Sequence, residues 1–263
     1  MTDDRKAGLL HEALSKAPQA TLMFWLVKVC ATTVGETGGD AVSMTLKLGY
    51  GAATLIFLGF FVVTLVLQMR AHRYHPLIYW LLVVATTTVG TTTSDFIDRT
   101  LKVGYVASSA MLFGLVLVVL AAWKLATGQI RADRIVSRKD EIFYWLTILV
   151  SNTLGTALGD FSADDTGLNL GFEKGALLFG ALILVVAFVR RMNWAPQAVL
   201  FWAAYVLTRP LGATLGDTLT KPLAMGGFNF DRITASVVIA AVMAALVLLS
   251  PKLRRPAVAS PIP

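Results

Sequence analysis

Apolar and polar stretches alternate along this chain at a length that suits membrane crossing. Apolar runs cover residues 21–39, 52–67, 76–93, 105–125, 142–159, 175–189, 196–216 and 233–249. At 1.5 Å of rise per helical residue, about 20 apolar residues span the roughly 30 Å of bilayer hydrocarbon. The pattern therefore predicts eight transmembrane helices. Their polar links fall into two sets. Short links inside pairs begin at Asp40, Asp95, Asp160 and Asp217, and the other links join one pair to the next.

The pairs are copies of one another. Trp25 precedes Asp40 by fifteen residues, and the same spacing returns as Trp80 and Asp95, Trp145 and Asp160, and Trp202 and Asp217. A glycine stands five residues before each aspartate, at Gly35, Gly90, Gly155 and Gly212, in the cores GETGGD, GTTTSD, GTALGD and GATLGD. Hydroxyls and amides gather just before these glycines: Thr32 and Thr33, Thr86 to Thr88, Ser151 to Thr153, and Thr208. Self-similarity at a period of about 55 to 65 residues marks a tandem repeat. The expected fold is an all-α membrane protein of four parallel two-helix repeats, at 20–70, 76–126, 142–191 and 196–250. Tails at 1–19 and 251–263 flank them.

Composition agrees with this class. The 263 residues are 56% hydrophobic and 15% charged, with a mean hydropathy of +0.68. Soluble domains carry nearer a quarter charged residues. Cys30 is the single cysteine, which excludes an intrachain disulfide and a cysteine metal motif. Residues 1–19 mix both charge signs without an apolar core and do not read as a signal peptide. Leu9, Leu10, Ala13 and Leu14 could form a short surface helix there, or the segment is a loosely ordered tail.

The net charge of +7 is unevenly spread. The stretches between repeats and after the last one hold twelve basic residues: Arg70, Arg73, Lys124, Arg131, Arg134, Arg138, Lys139, Arg190, Arg191, Lys252, Arg254 and Arg255. Against them stand three acids, Asp133, Asp140 and Glu141. Links within repeats hold nine acids and six bases. The positive-inside rule then places both termini in the cytoplasm and the aspartates toward the opposite face. Trp25, Trp80, Trp145 and Trp202, beside Phe24, Tyr79, Tyr144 and Phe201, read as aromatic anchors at the cytoplasmic boundary. Nucleic acid is not an expected partner; the bilayer is, and a homo-oligomer is left open.

Candidate chemistry lies in the repeated carboxylates. An ionisable residue at membrane depth is costly unless it faces a partner or a wet cavity, which makes Asp40, Asp95, Asp160 and Asp217 site candidates. Glu36 joins them, one turn before Asp40; its counterparts are Thr91, Thr156 and Ala213, so fourfold symmetry is broken there. Converging carboxylates require protonation, a basic partner or a bound cation. Thr33, Thr88, Asn152 and Thr153 are candidate neutral oxygen donors. Arg209 stands at the position of Thr32, Thr87 and Asn152, close to mid-span, as a counter-charge to the acids or an anion contact. Lys28, three residues after Trp25, reads as snorkelling to the headgroups. Such hard oxygen donors suit Mg²⁺, Ca²⁺ or Mn²⁺.

From Phe24 to Leu249 the four aromatic-Trp openings and Gly-x-x-x-x-Asp cores resemble a family of bacterial membrane proteins built from a repeat of unknown function. That resemblance implies an integral protein of the bacterial cytoplasmic membrane and no defined activity. Glu36-Thr37-Gly38-Gly39-Asp40 is also similar to the Glu-x-Gly-Asp motif of calcium/manganese exporter families. It has one residue more, lacks the basic residue expected after the aspartate, and occurs in repeat 1 alone. Together these features lead to an expected transporter of a divalent metal cation, Mn²⁺ first, exporting it in exchange for protons. The metal would be bound by Glu36, Asp40, Asp95, Asp160 and Asp217, with no cofactor. A carrier or channel for a small organic solute, or a membrane scaffold, is the alternative. No nucleophile or cofactor motif points to an enzyme.

Overall fold

A computed structural model describes residues 16–130 and 137–250, and every expected span is an α-helix within it. The helices are α1 (Leu22–Asp40), α2 (Gly49–Arg70), α3 (Pro76–Asp95), α4 (Tyr105–Thr127), α5 (Arg138–Ala163), α6 (Gly171–Arg191), α7 (Gln197–Thr220) and α8 (Arg232–Leu249). Their ends follow local chemistry. Thr21, Ser137 and Asp231 cap α1, α5 and α8 by accepting hydrogen bonds from Phe24 N, Asp140 N and Thr234 N. Pro76 opens α3, and Gly128, at φ 78°, closes α4. The proposed surface helix at residues 9–14, His11 and the basic residues Arg131, Arg134, Lys252, Arg254 and Arg255 lie outside the described residues.

The odd-numbered helices form a closed central ring in which α1 touches α3 and α7, and α5 touches α3 and α7. Each even-numbered helix leans on the central helix of the next repeat: α2 on α3, α4 on α5, α6 on α7, and α8 back on α1. The central helices run unbroken through Gly35, Gly90, Gly155 and Gly212. Past their aspartates the repeats diverge. α1 and α3 pass into single π-helical turns, Ala41–Thr45 and Phe96–Thr100, while α5 and α7 stop in loops.

Glycine sets how closely the ring closes. A β-carbon on Gly35 would strike Thr87, one on Gly90 would strike Asn152, one on Gly155 would strike Arg209, and one on Gly212 would strike Thr32. Each repeat thus lays its glycine on the same position of the next repeat, and the fourth returns to the first. One turn further along, Gly39 lies on Thr91, Gly159 on Ala213 and Gly216 on Glu36. Small residues at such contacts let membrane helices approach to backbone distance.

The aromatic residues obey the same cyclic rule, which corrects their reading as headgroup anchors. Phe24 packs on Trp80 (5.5 Å between ring centroids), Tyr79 on Trp145 (5.4 Å), Tyr144 on Trp202 (5.8 Å) and Phe201 on Trp25 (5.6 Å). Trp80, Trp145 and Trp202 are buried, and the Tyr79 and Tyr144 hydroxyls meet at 2.8 Å. The rings meet across adjacent central helices and fill the bundle instead of facing outward. Aromatic pairs of this kind add about 0.5–1.5 kcal/mol each beyond area burial.

Polarity runs inside out. Thr32, Thr87, Thr91, Thr156 and Thr208 are buried in the ring, whereas Leu55, Val63, Val118, Leu184 and Val237 on the even-numbered helices are exposed. A third or less of each even-numbered span is buried, against more than half of α3, α5 and α7. Among the described residues seven helices are long and apolar enough to cross a membrane, and α1, which carries Lys28, Glu36 and Asp40, is not among those seven. A bare apolar exterior around a polar core is the signature of a multi-pass membrane protein.

Replacing Gly90 by Ala would put a methyl 2.9 Å from the Asn152 carbonyl carbon and 3.0 Å from Thr153 N, both backbone atoms that cannot step aside. The expected cost is about 1–3 kcal/mol. Ala at Gly59, Gly114 or Gly180, which have open space, leaves stability unchanged or slightly raised. Thermal unfolding of the purified variants in detergent measures the contrast.

Candidate functional site

Two of the residues that break the fourfold pattern meet each other. From α7, the Arg209 guanidinium reaches Glu36 of α1 at 3.0 Å, with both side chains buried. It also donates to Thr156 Oγ1 at 2.7 Å, to Thr91 Oγ1, and more distantly to the carbonyls of Thr32 (3.4 Å) and Thr87 (3.5 Å). Thr91 and Thr156 are the counterparts of Glu36 in repeats 2 and 3, and Thr91 Oγ1 lies 3.2 Å from the Glu36 carboxylate. One layer of the ring, contributed by all four central helices, therefore closes around a single ion pair. Glu36 is the acid that Arg209 meets as a counter-charge.

The four aspartates are bridged in pairs, each pair by one base. Lys221 lies 3.1 Å from Asp40 and 3.1 Å from Asp217, joining repeats 1 and 4. Arg99 lies 2.7 Å from Asp95 and 3.4 Å from Asp160, joining repeats 2 and 3. Arg232 approaches Asp40 at 3.6 Å. All four carboxylates are buried although each stands at a helix end. Lys221, Arg99 and Arg232 are three of the six bases in the links within repeats, where the sequence alone presents them as loop charges. A signal was available: Arg99 and Lys221 each follow an aspartate by four residues, the spacing that places two side chains on one helical face. Met44 and Asp164 hold that offset in the other repeats, so two bases serve four acids.

The candidate neutral donors divide. Thr33, Thr88 and Thr153 bond back to carbonyls of their own helices, at Val29, Val84 and Leu149. Asn152 instead crosses the ring, donating from Nδ2 to Thr86 Oγ1 at 3.0 Å and offering Oδ1 to Lys28 Nζ at 3.4 Å. Lys28 does not snorkel. It is fully buried over the Tyr205 ring, 4.2 Å from its centroid, because α1 presents this position to the axis and not to the surface. Among the described residues no three His, Cys, Asp or Glu side chains come together in a way that could hold a metal ion.

A family model described as Repeat of Unknown Function (DUF347) matches the chain four times, at residues 23–74, 78–129, 143–192 and 200–255. The chain belongs to the DUF347 family. Each matched unit contains one central helix, its aspartate and the even-numbered helix that follows. No curated protein and no solved structure is significantly similar to the chain. Within this DUF347 protein, the units share the Trp, Gly and Asp scaffold and differ at the axis, where Glu36, Arg209 and Lys28 each occur in one repeat only.

Removing one partner of a buried pair strands the other. Glu36→Gln and Arg209→Met are each expected to destabilise the protein by about 3–5 kcal/mol, and the double variant by much less than the sum. A double-mutant cycle on unfolding in detergent reads this coupling.

Proposed function

We propose that this DUF347 protein is a membrane transporter for a cation, with Asp40 and Asp217 as its binding site. The observation supporting this reading is the position of Lys221, whose ammonium stands between these two buried carboxylates at 3.1 Å from each. The gap is built to hold one positive charge, and the charge in it is tethered by a flexible stem. An incoming cation takes both carboxylates when the ammonium swings out. Asp95, Asp160 and Arg99 repeat the arrangement in the other half of the ring. Glu36, one turn below Asp40, offers the next carboxylate along the axis. Protonation of the aspartates releases cation and lysine alike, which supplies a route for proton exchange.

The donor set is hard oxygen, so Mn²⁺ is the first cargo to test. Two carboxylates without a third acid also suit a monovalent cation, so Na⁺ and K⁺ belong in the same assay. The family resemblance implies the bacterial cytoplasmic membrane, the distribution of basic residues favours both termini inside with the aspartates toward the far side, and export is the direction to test first. In that orientation a cysteine at Lys47 or Lys102, in a background where Cys30 is replaced by Ser, is labelled by an impermeant maleimide added to intact cells. Labelling only after lysis would reverse the topology.

Proteoliposomes test the cargo. Wild-type protein is expected to carry Mn²⁺ or one of its competitors, and Asp40→Asn/Asp217→Asn protein to stay folded and lose the flux. Lys221→Ala removes the tethered competitor, so the apparent KM for the cation falls. Absence of flux for every cation, with folded protein, would leave a scaffold or an organic-solute carrier and defeat the proposal.

A further inference from the structure

Between the aromatic layer and the glycine layer the core holds more positive charge than it neutralises. Lys28 and Arg209 are both fully buried, and Glu36, which pairs with Arg209, is the carboxylate of this region. No carboxylate lies within ion-pair distance of Lys28 among the described residues. Its three N–H bonds meet one acceptor, Asn152 Oδ1 at 3.4 Å, and the face of Tyr205. A buried cation left in this way is strongly unfavourable.

The neighbouring polar groups lack acceptors as well. The Tyr205 hydroxyl is buried with no hydrogen-bond partner, and so is Arg209 Nε. Tyr205 and Arg209 are four residues apart on α7, hence on one face, and Lys28 lies over the Tyr205 ring. Across the axis, α5 supplies Ile148 and Asn152, and α3 supplies Val83 and Thr86, whose hydroxyl is already engaged by Asn152. The unmet groups are donors, and two of the three side chains are cations. A ligand that only accepts hydrogen bonds and carries negative charge answers all of them.

We propose that Lys28, Tyr205 and Arg209 form an axial binding site for a small monovalent anion, of the halide, nitrate or formate class. Val83 and Ile148, which hold the position of Lys28 and Tyr205 in the other two repeats, and Asn152 are almost wholly buried, so the ligand class is a small one. The site is distinct from the aspartate end and is independent of any carried cation. Lys28 supplies the charge, Tyr205 a neutral donor, and Arg209 Nε a second charged donor that its bond to Glu36 leaves free. Pairing Lys28 with a diffusible anion would also make the core's neutrality depend on the solution outside it.

The test is the melting temperature of purified protein in detergent, at constant ionic strength, as sodium gluconate is replaced by sodium chloride, nitrate or formate. Wild type is expected to show a saturable rise for the small anions. Lys28→Met is expected to lose it, Lys28→Arg to keep it, and Tyr205→Phe to need about tenfold more anion, the loss of one hydrogen bond to a charged ligand. Gly180→Ala, on the outer helix α6 with open space around it, keeps the wild-type response, which ties any loss to the axial residues. An equal, unsaturable effect of all salts would overturn the proposal, as would a wild type indifferent to anions, which is what a neutral Lys28 amine gives. A Lys28→Met protein that responds like wild type would also overturn it. If Lys28→Met does not fold, the wild-type titration and Tyr205→Phe still decide.

Discussion

The architecture depends on how closely four helices can approach around one axis. At Gly35, Gly90, Gly155 and Gly212 there is no room for a β-carbon, and each glycine accepts the side chain at one repeated position of its neighbour. Lipid offers little hydrophobic drive for helix association, so close packing and polar contacts must supply it. Once the ring is this tight, whatever stands at the repeated position is pressed toward the centre. In repeats 1 and 2 that is a threonine, in repeat 3 an asparagine, in repeat 4 an arginine. The glycine layer thereby delivers Arg209 to Glu36 and Asn152 to Lys28.

Much of this was legible in the chain. The fixed Trp–Gly–Asp spacing carried the repeat, its copy number and the helix count, because apolar length and tandem similarity are local properties. The broken symmetry at Glu36 and Arg209 was visible too. What the spacing could not convey was which groups face one another across the axis. Trp80, Trp145 and Trp202 look like interfacial residues by position, yet the aromatic residue before each tryptophan meets the tryptophan of the next repeat, and the rings are drawn inward. Lys28 misled for the same reason: a lysine near a tryptophan suggests a surface, and only the ring geometry shows that its stem has no outward route. The pairing bases, Arg99 and Lys221, were legible by their four-residue offset. That each would serve two acids follows only from the closeness of adjacent repeats.

The charged groups form two levels with different burdens. At the aspartate end, acids and bases are matched in adjacent pairs of repeats, and the bases arrive from segments just beyond the central helices. Deeper in the bundle, the matching is one guanidinium to one carboxylate, satisfied further by two threonines. A fourfold scaffold with a twofold pattern of charge and a single central pair gives three grades of symmetry in one core. The scaffold residues hold the shape, and the exceptions to the repeat carry the chemistry.

Every even-numbered helix rests on the central helix of the following repeat, and α8 closes onto α1. A single repeat consequently cannot cover its own polar face: its partner surface is always on another copy. Insertion into a membrane would leave α1 uncovered along one side until α8 has emerged, more than 190 residues later in the chain. An ancestral single unit of this design could be whole only as a quarter of a four-chain assembly. With the four copies in one chain, each quarter can carry a different residue at the centre.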